Sequence, residues 1–144
     1  MDIGVEHESN GRTLPDSRSW NRVYVTPYFP PGHDLFHLKF WYRITESEKQ
    51  NPQDPRGDDN PDIGDYLGYG EMSYIKRFAL GARFGSMVRG NPSTNRCAVC
   101  LSYDYPGKSK DVYYRLMVWH GYGKTLINYD RSITRVSIGV SVFR

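Results

Sequence analysis

The chain has 144 residues, enough for one domain with a sizeable buried surface and too few for two comfortable ones. Its apolar runs are only a few residues long, whereas a membrane helix needs roughly 18 to 20, and no cationic start before an apolar stretch indicates a signal peptide. The short apolar runs exclude a helical membrane protein. The formal charge is +3, from 19 Lys and Arg against 16 Asp and Glu, and the basic residues are spread along the chain, which indicates no nucleic-acid partner.

The first two predicted strands cover residues 2–9 and 19–29, around a loop at 10–18. Alternation with a period of two gives the first strand a charged face and an apolar face, and the apolar face carries Ile3, Val5, His7 and Ser9. Pairing Val5 with Val23 in a hairpin places His7 opposite Asn21, with Cβ atoms about 4.5 to 5.5 Å apart. His7, Ser9 and Asn21 are therefore predicted to converge on an apolar face.

Six further strands are predicted at residues 34–45, 65–76, 79–90, 95–105, 110–120 and 133–143. The last alternates most cleanly, with apolar residues at Val136, Ile138, Val140 and Val142. No helical periodicity of useful length and no internal repeat is present. Outer-membrane barrels have long loops outside and short turns at the periplasmic side. On that rule the loops at 10–18, 46–64, 91–94 and 121–132 share the extracellular rim.

The distribution of charge over these strands favours an inverted barrel. Charged residues recur on the minority face of several strands, as Lys39, Arg115 and Asp104 do, and the apolar faces are rich in Tyr and Phe. The chain is 15% aromatic, with 12 Tyr and a mean hydropathy of −0.66. This composition is typical of transmembrane barrels, and a soluble β-sandwich could share it. We predict an all-β fold, an antiparallel transmembrane β-barrel.

Two cysteines, Cys97 and Cys100, form a CxxC sequence within a predicted strand. No second Cys or His pair follows at the spacing of a zinc site. Strand positions three apart point to opposite faces, so the two thiols would be badly placed as a redox pair. We interpret them as one outward and one inward small residue.

The three polar residues on the first two strands match the parts of a hydrolase. A serine hydroxyl needs a base to become reactive, and a histidine needs a partner that fixes its tautomer. Ser9, His7 and Asn21 can fill these roles as nucleophile, base and orienting residue. By spacing alone this is a weak signal, and ordinary polar residues at a strand end are the alternative.

Two longer motifs are more specific. They are His7-Glu8-Ser9-Asn10-Gly11-Arg12 and Asp16-Ser17-Arg18-Ser19-Trp20-Asn21-Arg22. Together they resemble the signature of the outer-membrane phospholipase A family, calcium-dependent lipases of Gram-negative outer membranes. The likeness continues through Trp41-Tyr42, Asp59-Asn60-Pro61-Asp62-Ile63, Gly121-Tyr122-Gly123 and Thr134-Arg135-Val136, and so spans essentially the whole chain.

The resemblance implies a role for each matching position. Ser9 corresponds to the nucleophile, His7 to the general base and Asn21 to the residue that orients the histidine. Gly11 corresponds to the position whose main-chain N–H helps to bind the oxyanion, a role that suits a residue allowing close approach.

The resemblance also implies Ca²⁺ at the interface of a homodimer. Its ligands in this chain would be the main-chain oxygen of Arg12 and the hydroxyl of Ser17, and Asp59 matches an acidic residue of a second calcium position. Hard oxygen ligands suit calcium. Ser17 could instead cap a turn, Gly11 and Arg12 could be plain turn residues, and Asp58, Asp59 and Asp62 could form a solvated loop. Leu14 stands where the family can carry an acidic residue of the calcium loop.

The resemblance implies a twelve-stranded barrel, of which this chain supplies about eight strands as one unit over residues 1–144, the C-terminal part. The expected activity is hydrolysis of sn-1 and sn-2 acyl esters of phospholipids, at the lipid-facing surface of an outer-membrane barrel near its extracellular leaflet. The alternative is a truncated, non-catalytic outer-membrane barrel with a structural or adhesive role. A soluble serine hydrolase is a third possibility.

Overall fold

The computed structural model describes residues 1–51, 54, 56–108 and 111–142, and its strands form one antiparallel sheet. The strands are β1 (Asp2–Ser9), β2 (Ser19–Thr26), β3 (Tyr28–Phe29), β4 (Leu35–Ile44), β5 (Gly70–Arg77), β6 (Arg83–Asn91), β7 (Arg96–Pro106), β8 (Val112–Gly121) and β9 (Ile133–Val142). Their order is β1-β2-β4-β5-β6-β7-β8-β9, and β3 pairs with β4. The all-β antiparallel prediction is confirmed.

Short helical segments lie between the strands. They are α1 (Ile63–Leu67) and two 3₁₀ turns, at Pro92–Thr94 and Leu126–Asn128. None of the helices within the described ranges is long and apolar enough to cross a membrane.

The second predicted strand, 19–29, is divided in two. Strand β2 ends at Thr26, and β3 begins at Tyr28, so Pro27 separates them. Proline has no N–H to donate to a ladder, which explains the break. The predicted ends of the other strands agree within a few residues, except for the fourth. Residue 143, the predicted end of the last strand, lies outside the described residues.

The fourth predicted strand, 65–76, was wrong at its start, because residues 63–67 form helix α1. Ile63 and Leu67 are four residues apart, so the helix places both on one face, where both are buried. Gly68 ends the helix with a positive φ of 69°. A Cβ at this position would collide with the main-chain oxygen of Gly90, so only glycine fits here. Strand β5 therefore begins at Gly70.

One face of the sheet, here called the outer face, is apolar and exposed. Its residues include Ile3, Val5, Val23, Phe40, Tyr42, Ile44, Met72, Val88, Leu101, Tyr103, Tyr114, Leu116, Val118, Val136, Ile138 and Val140. Val5 is 70% exposed and Ile138 is 87% exposed, although both are large apolar residues. An apolar face turned outward is the arrangement of transmembrane barrels, so the inverted pattern predicted from the sequence is confirmed.

The opposite face, here called the inner face, carries the charged residues in pairs. Glu6 accepts hydrogen bonds from Arg22 at 2.6 Å and from Lys39 at 2.5 Å. Asp104, 4% exposed, receives a two-point contact from Arg115 at 2.6 and 2.8 Å. Burying charge is costly unless the groups are paired, and these pairs satisfy one another.

The sheet ends at β1 and β9, each of which is hydrogen-bonded to a single neighbouring strand. Within the part of the chain that the structure describes, β1 and β9 do not pair with each other. Each therefore presents a row of main-chain N–H and C=O groups along its free edge.

A charged side chain introduced on the outer face should lower the free energy of unfolding more than one introduced on the inner face. Leu116 faces outward in the middle of β8, whereas Met117 faces inward between Ser102 and Ser137. In phospholipid bilayers, Leu116→Arg is expected to lower the free energy of unfolding by about 2 to 4 kcal/mol. Met117→Arg should cost less, because its guanidinium can reach polar surroundings. Urea unfolding of both variants measures the difference, and equal costs would contradict the assignment of the faces.

Candidate active site

The long loops meet at one end of the sheet, here called the loop rim. Three hydrogen bonds between loops show this: Ser17 to Asp59, Asn91 to the main chain of Gly64, and Tyr129 to Asp62. The prediction that the loops at 10–18, 46–64, 91–94 and 121–132 share one rim is therefore confirmed.

A cluster of buried residues underlies the loop rim on the inner face. Its members are Trp20, Trp41, Ile63, Leu67, Leu126 and Tyr129. The rings of Trp20 and Trp41 meet edge to face, with centroids 6.3 Å apart. Trp20 is 1% exposed, and its indole N–H donates to Glu8 at 3.1 Å. This packing fixes β2 immediately beside Asn21.

The hairpin of β1 and β2 brings the predicted polar residues together. Its register pairs Val5 with Val23 and His7 with Asn21, as predicted. The Nδ1 atom of His7 lies 2.8 Å from the Oδ1 atom of Asn21, within hydrogen-bonding distance. On its other side, the Nδ2 atom of Asn21 donates to Glu46 at 2.8 Å. Glu46 was missed by the sequence analysis.

Ser9 lies two residues after His7 on the same face of β1, and both residues are exposed. No hydrogen bond joins Ser9 to His7 within the described part of the chain. Catalytic hydrogen bonds are often long before substrate binds and tighten only in the complex. The arrangement therefore presents a hydroxyl and an oriented imidazole side by side, next to the exposed apolar residue Val5.

Asn10 organises the loop between β1 and β2, a role that the sequence analysis did not identify. Its side-chain oxygen accepts from the main-chain N–H groups of Arg12 at 3.2 Å and Arg18 at 3.1 Å. Its amide nitrogen donates to the main-chain oxygen of Asp16 at 2.7 Å. Gly11, next in the chain, has a positive φ of 64°, which favours glycine.

Beside this loop lies a cleft of about 410 Å³, lined by Arg12, Thr13, Leu14, Ser17 and Asp59. The Ser17 hydroxyl donates to Oδ2 of Asp59 at 2.6 Å, and the Lys49 ammonium pairs with Oδ1 of the same carboxylate. Burial raises the pKa of Asp59, but the hydrogen bonds from Lys49 and Ser17 outweigh it and hold the pKa below its usual value. Asp59 is therefore an anionic group facing the cleft.

The cleft carries oxygen donors of the kinds that a hard cation accepts, and both oxygens of Asp59 are engaged by Ser17 and Lys49. No group of three or more His, Cys, Asp and Glu side chains suited to a metal occurs among the residues described. A cation in this cleft would be bound by main-chain oxygens, by a hydroxyl such as that of Ser17 and by the carboxylate of Asp59. These are ligand types that calcium accepts. The structure thus places Arg12, Ser17 and Asp59 around one cleft.

The neighbouring acidic residues have structural partners instead. Asp58 accepts two hydrogen bonds of 2.6 Å from Arg43. Asp62 accepts the hydroxyl of Tyr129, and burial together with this bond raises the pKa of Tyr129, so the phenol remains a proton donor. Of the three aspartates considered from the sequence, Asp59 alone lines the cleft.

The two cysteines are free thiols in β7. Cys97 is exposed and Cys100 is partly buried, on opposite faces of the strand. This agrees with the interpretation of the CxxC sequence as one outward and one inward residue.

Comparisons with known proteins bear on this site. The family model of phospholipase A1 matches residues 1–142. The phospholipase A1 of Salmonella typhimurium is 35% identical over 143 residues, covering 97% of this chain and 44% of that protein. The phospholipase A1 of Escherichia coli is 34% identical over 145 residues, with the same shares covered. The chain thus spans less than half the length of these relatives.

The fold of this chain is also found in solved structures. The outer membrane phospholipase A of Escherichia coli superposes with a TM-score of 0.85 and 34% identity, covering 98% of this chain and 50% of that chain. An asparagine-to-alanine active-site mutant of the same protein superposes equally well. The outer membrane phospholipase of Salmonella typhi, a dimer with bound calcium, gives the same TM-score and coverage at 34% identity.

Proposed function

The chain belongs to the phospholipase A1 family, and from that membership we propose that it hydrolyses sn-1 and sn-2 acyl esters of phospholipids with Ser9 as the nucleophile. One observation carries the proposal: the hydrogen bond between His7 and Asn21, 2.8 Å long, two residues from Ser9 on an exposed apolar face. Polar groups on such a face cost free energy unless they satisfy one another or have a task, and the Ser9 hydroxyl beside this pair is the group that such a task would use. An active-site asparagine in the Escherichia coli neighbour supports the same role for Asn21.

In this mechanism Nε2 of His7 accepts the proton of the Ser9 hydroxyl as the oxygen attacks the ester carbonyl. The main-chain N–H of Gly11 donates to the oxyanion that forms. The protonated His7 then gives its proton to the leaving alcohol, which departs as a lysophospholipid. Water, deprotonated by His7, attacks the acyl-serine ester, frees the fatty acid and restores Ser9.

The main-chain oxygen of Arg12 and the hydroxyl of Ser17 are the residues that would hold calcium beside this site, and Asp59 would serve a second position. When bound, a divalent cation stabilises negative charge on an ester oxygen. The Salmonella typhi neighbour is a dimer with bound calcium, which supports a calcium-dependent homodimer for this chain.

The outer face accounts for how substrate would reach the site. His7 and Ser9 share a face with Ile3 and Val5, which are about 70% exposed. We propose that this face contacts the lipid of a bacterial outer membrane near its extracellular leaflet, so that a phospholipid enters sideways from the bilayer. The chain covers half of the solved structures, and within the described residues β1 and β9 each pair with a single strand. We therefore propose that it supplies the C-terminal part of a larger barrel.

The first test is calcium dependence. Fatty-acid release from phospholipid–detergent micelles is expected to rise at least about tenfold with calcium over a chelator. Ser17→Ala should raise the calcium concentration for half-maximal release by about tenfold, since a ligand oxygen is lost. Ser132→Ala, which changes an exposed serine before β9, serves as the control. Equal background release under both conditions would contradict the proposal and favour a non-catalytic barrel.

A further inference from the structure

Resting on the proposed function, we propose that Glu46 is a positioning residue that fixes the tautomer of His7 through the side chain of Asn21. Two hydrogen bonds carry the inference. Asn21 donates from Nδ2 to Oε1 of Glu46 at 2.8 Å, and its Oδ1 lies 2.8 Å from Nδ1 of His7.

The direction of the first bond follows from the chemistry of a carboxylate. A carboxylate can only accept hydrogen bonds, whereas an amide has one accepting oxygen and one donating nitrogen. The NH₂ group of Asn21 must therefore face Glu46. Because the two ends of the amide point apart, its oxygen must face His7.

The direction of the second bond follows from the first. The Asn21 oxygen can only accept, so Nδ1 of His7 carries the proton. A neutral imidazole has one N–H, which leaves the lone pair on Nε2. This nitrogen is the one that takes the proton of Ser9 in the proposed mechanism. If the amide of Asn21 turned over, its NH₂ group would face Nδ1, and Nε2 would be protonated and unable to act as a base.

Glu46 also supplies a charge that the asparagine lacks. A histidine that gains a proton during catalysis is stabilised by a negative partner, as an aspartate provides in the Ser-His-Asp arrangement. Asn21 is neutral, and the carboxylate of Glu46 lies directly behind it. A hydrogen bond to a charged acceptor polarises the amide and strengthens the next bond along the chain.

The sheet explains why Glu46 is in place. Strands β1, β2 and β4 are consecutive neighbours, and Asn21 pairs with Ile44, the last residue of β4. Glu46 follows two residues later, with the parity of Tyr42 and Ile44, which are exposed on the outer face. His7, Asn21 and Glu46 thus form a row across three adjacent chain segments.

The test compares Glu46→Gln, Glu46→Lys and, as a matched control, Glu48→Gln, an exposed glutamate two residues further on. A glutamine can donate or accept, so kcat is expected to fall about threefold to tenfold with KM unchanged. A lysine only donates, so it should turn the amide of Asn21 over, and kcat should fall on the order of 100-fold. Glu48→Gln should have the kcat and KM of the wild type.

The ¹⁵N NMR spectrum of labelled histidines reports the tautomer of His7 and does not depend on a measurement of enzyme activity. The His7 signals, assigned by their loss in His7→Ala, should report protonated Nδ1 in the wild type, a mixture in Glu46→Gln and protonated Nε2 in Glu46→Lys. An unchanged tautomer in Glu46→Lys would overturn the inference, whatever the effect on kcat. If Ser9-dependent release is present and Glu46→Gln equals Glu48→Gln, the positioning role fails and the proposed function stands. If release does not depend on Ser9, the proposed function itself fails.

Discussion

Replacing Ser9 with Ala is expected to reduce phospholipid hydrolysis by about a thousandfold or more. The variant removes the oxygen that forms the acyl-enzyme. Residues of a nucleophile–base pair act as a unit, so loss of the nucleophile removes nearly the whole contribution of the pair. Fatty-acid release from mixed micelles with saturating calcium measures the effect.

The control for this variant is Ser132→Ala, which removes an exposed hydroxyl at the loop rim and should leave release unchanged. A sulfonyl fluoride that reacts with activated serines should label the wild type and Ser132→Ala, but not Ser9→Ala. Release and labelling by Ser9→Ala at the wild-type level would show that another group is the nucleophile.

Replacing Trp20 with Ala is expected to lower the free energy of unfolding by about 3 to 5 kcal/mol. Trp20 is 1% exposed and packs edge to face on Trp41. Its indole donates to Glu8 at 3.1 Å, and the guanidinium of Arg22 lies 4.1 Å from its ring centroid. Truncation would leave a cavity and remove a hydrogen-bond donor from a carboxylate. Urea unfolding in detergent, followed by far-UV circular dichroism, measures the loss.

Tyr42→Ala provides the matched comparison, since Tyr42 is also aromatic but is 72% exposed on the outer face. The free energy of unfolding lost in Tyr42→Ala should be smaller, because truncating a side chain on the outer face leaves no cavity in the packed interior. The free energy of unfolding lost in Trp20→Phe should lie between the losses in Trp20→Ala and Tyr42→Ala, because phenylalanine keeps part of the ring and lacks the N–H. Equal effects of Trp20→Ala and Tyr42→Ala would show that the cluster beneath the loop rim does not stabilise the sheet.

Strand parity and hairpin register could be predicted from the sequence because both are local. A strand exposes alternate residues on opposite faces, so a slip of one residue would turn Val5 and Val23 away from the apolar face. That constraint placed His7 opposite Asn21, as the structure confirms. The roles of Ser9, His7 and Asn21 still came from the family motif, because spacing does not specify chemistry.

Helix α1 could not be predicted, because five residues are too few to establish a helical period and an isolated helix of that length is unstable in water. It forms where Ile63 and Leu67 are buried with Trp20, Trp41, Leu126 and Tyr129, which come from segments distant in sequence. Tertiary packing therefore decided the start of β5.

The sequence by itself determined the antiparallel strands, the division of each strand into an apolar and a charged face, and the position of His7 opposite Asn21, because each depends on alternation within one or two neighbouring strands. Tertiary structure decided that the apolar face is the exposed one. Tertiary structure alone decided which polar groups satisfy one another at the loop rim. Asp59 with Ser17 and Glu46 with Asn21 are pairs separated by 42 and 25 residues. The segments that carry Ser17, Asp59 and Glu46 have no periodicity, so these side chains meet their partners only when the sheet has aligned the loops that carry them.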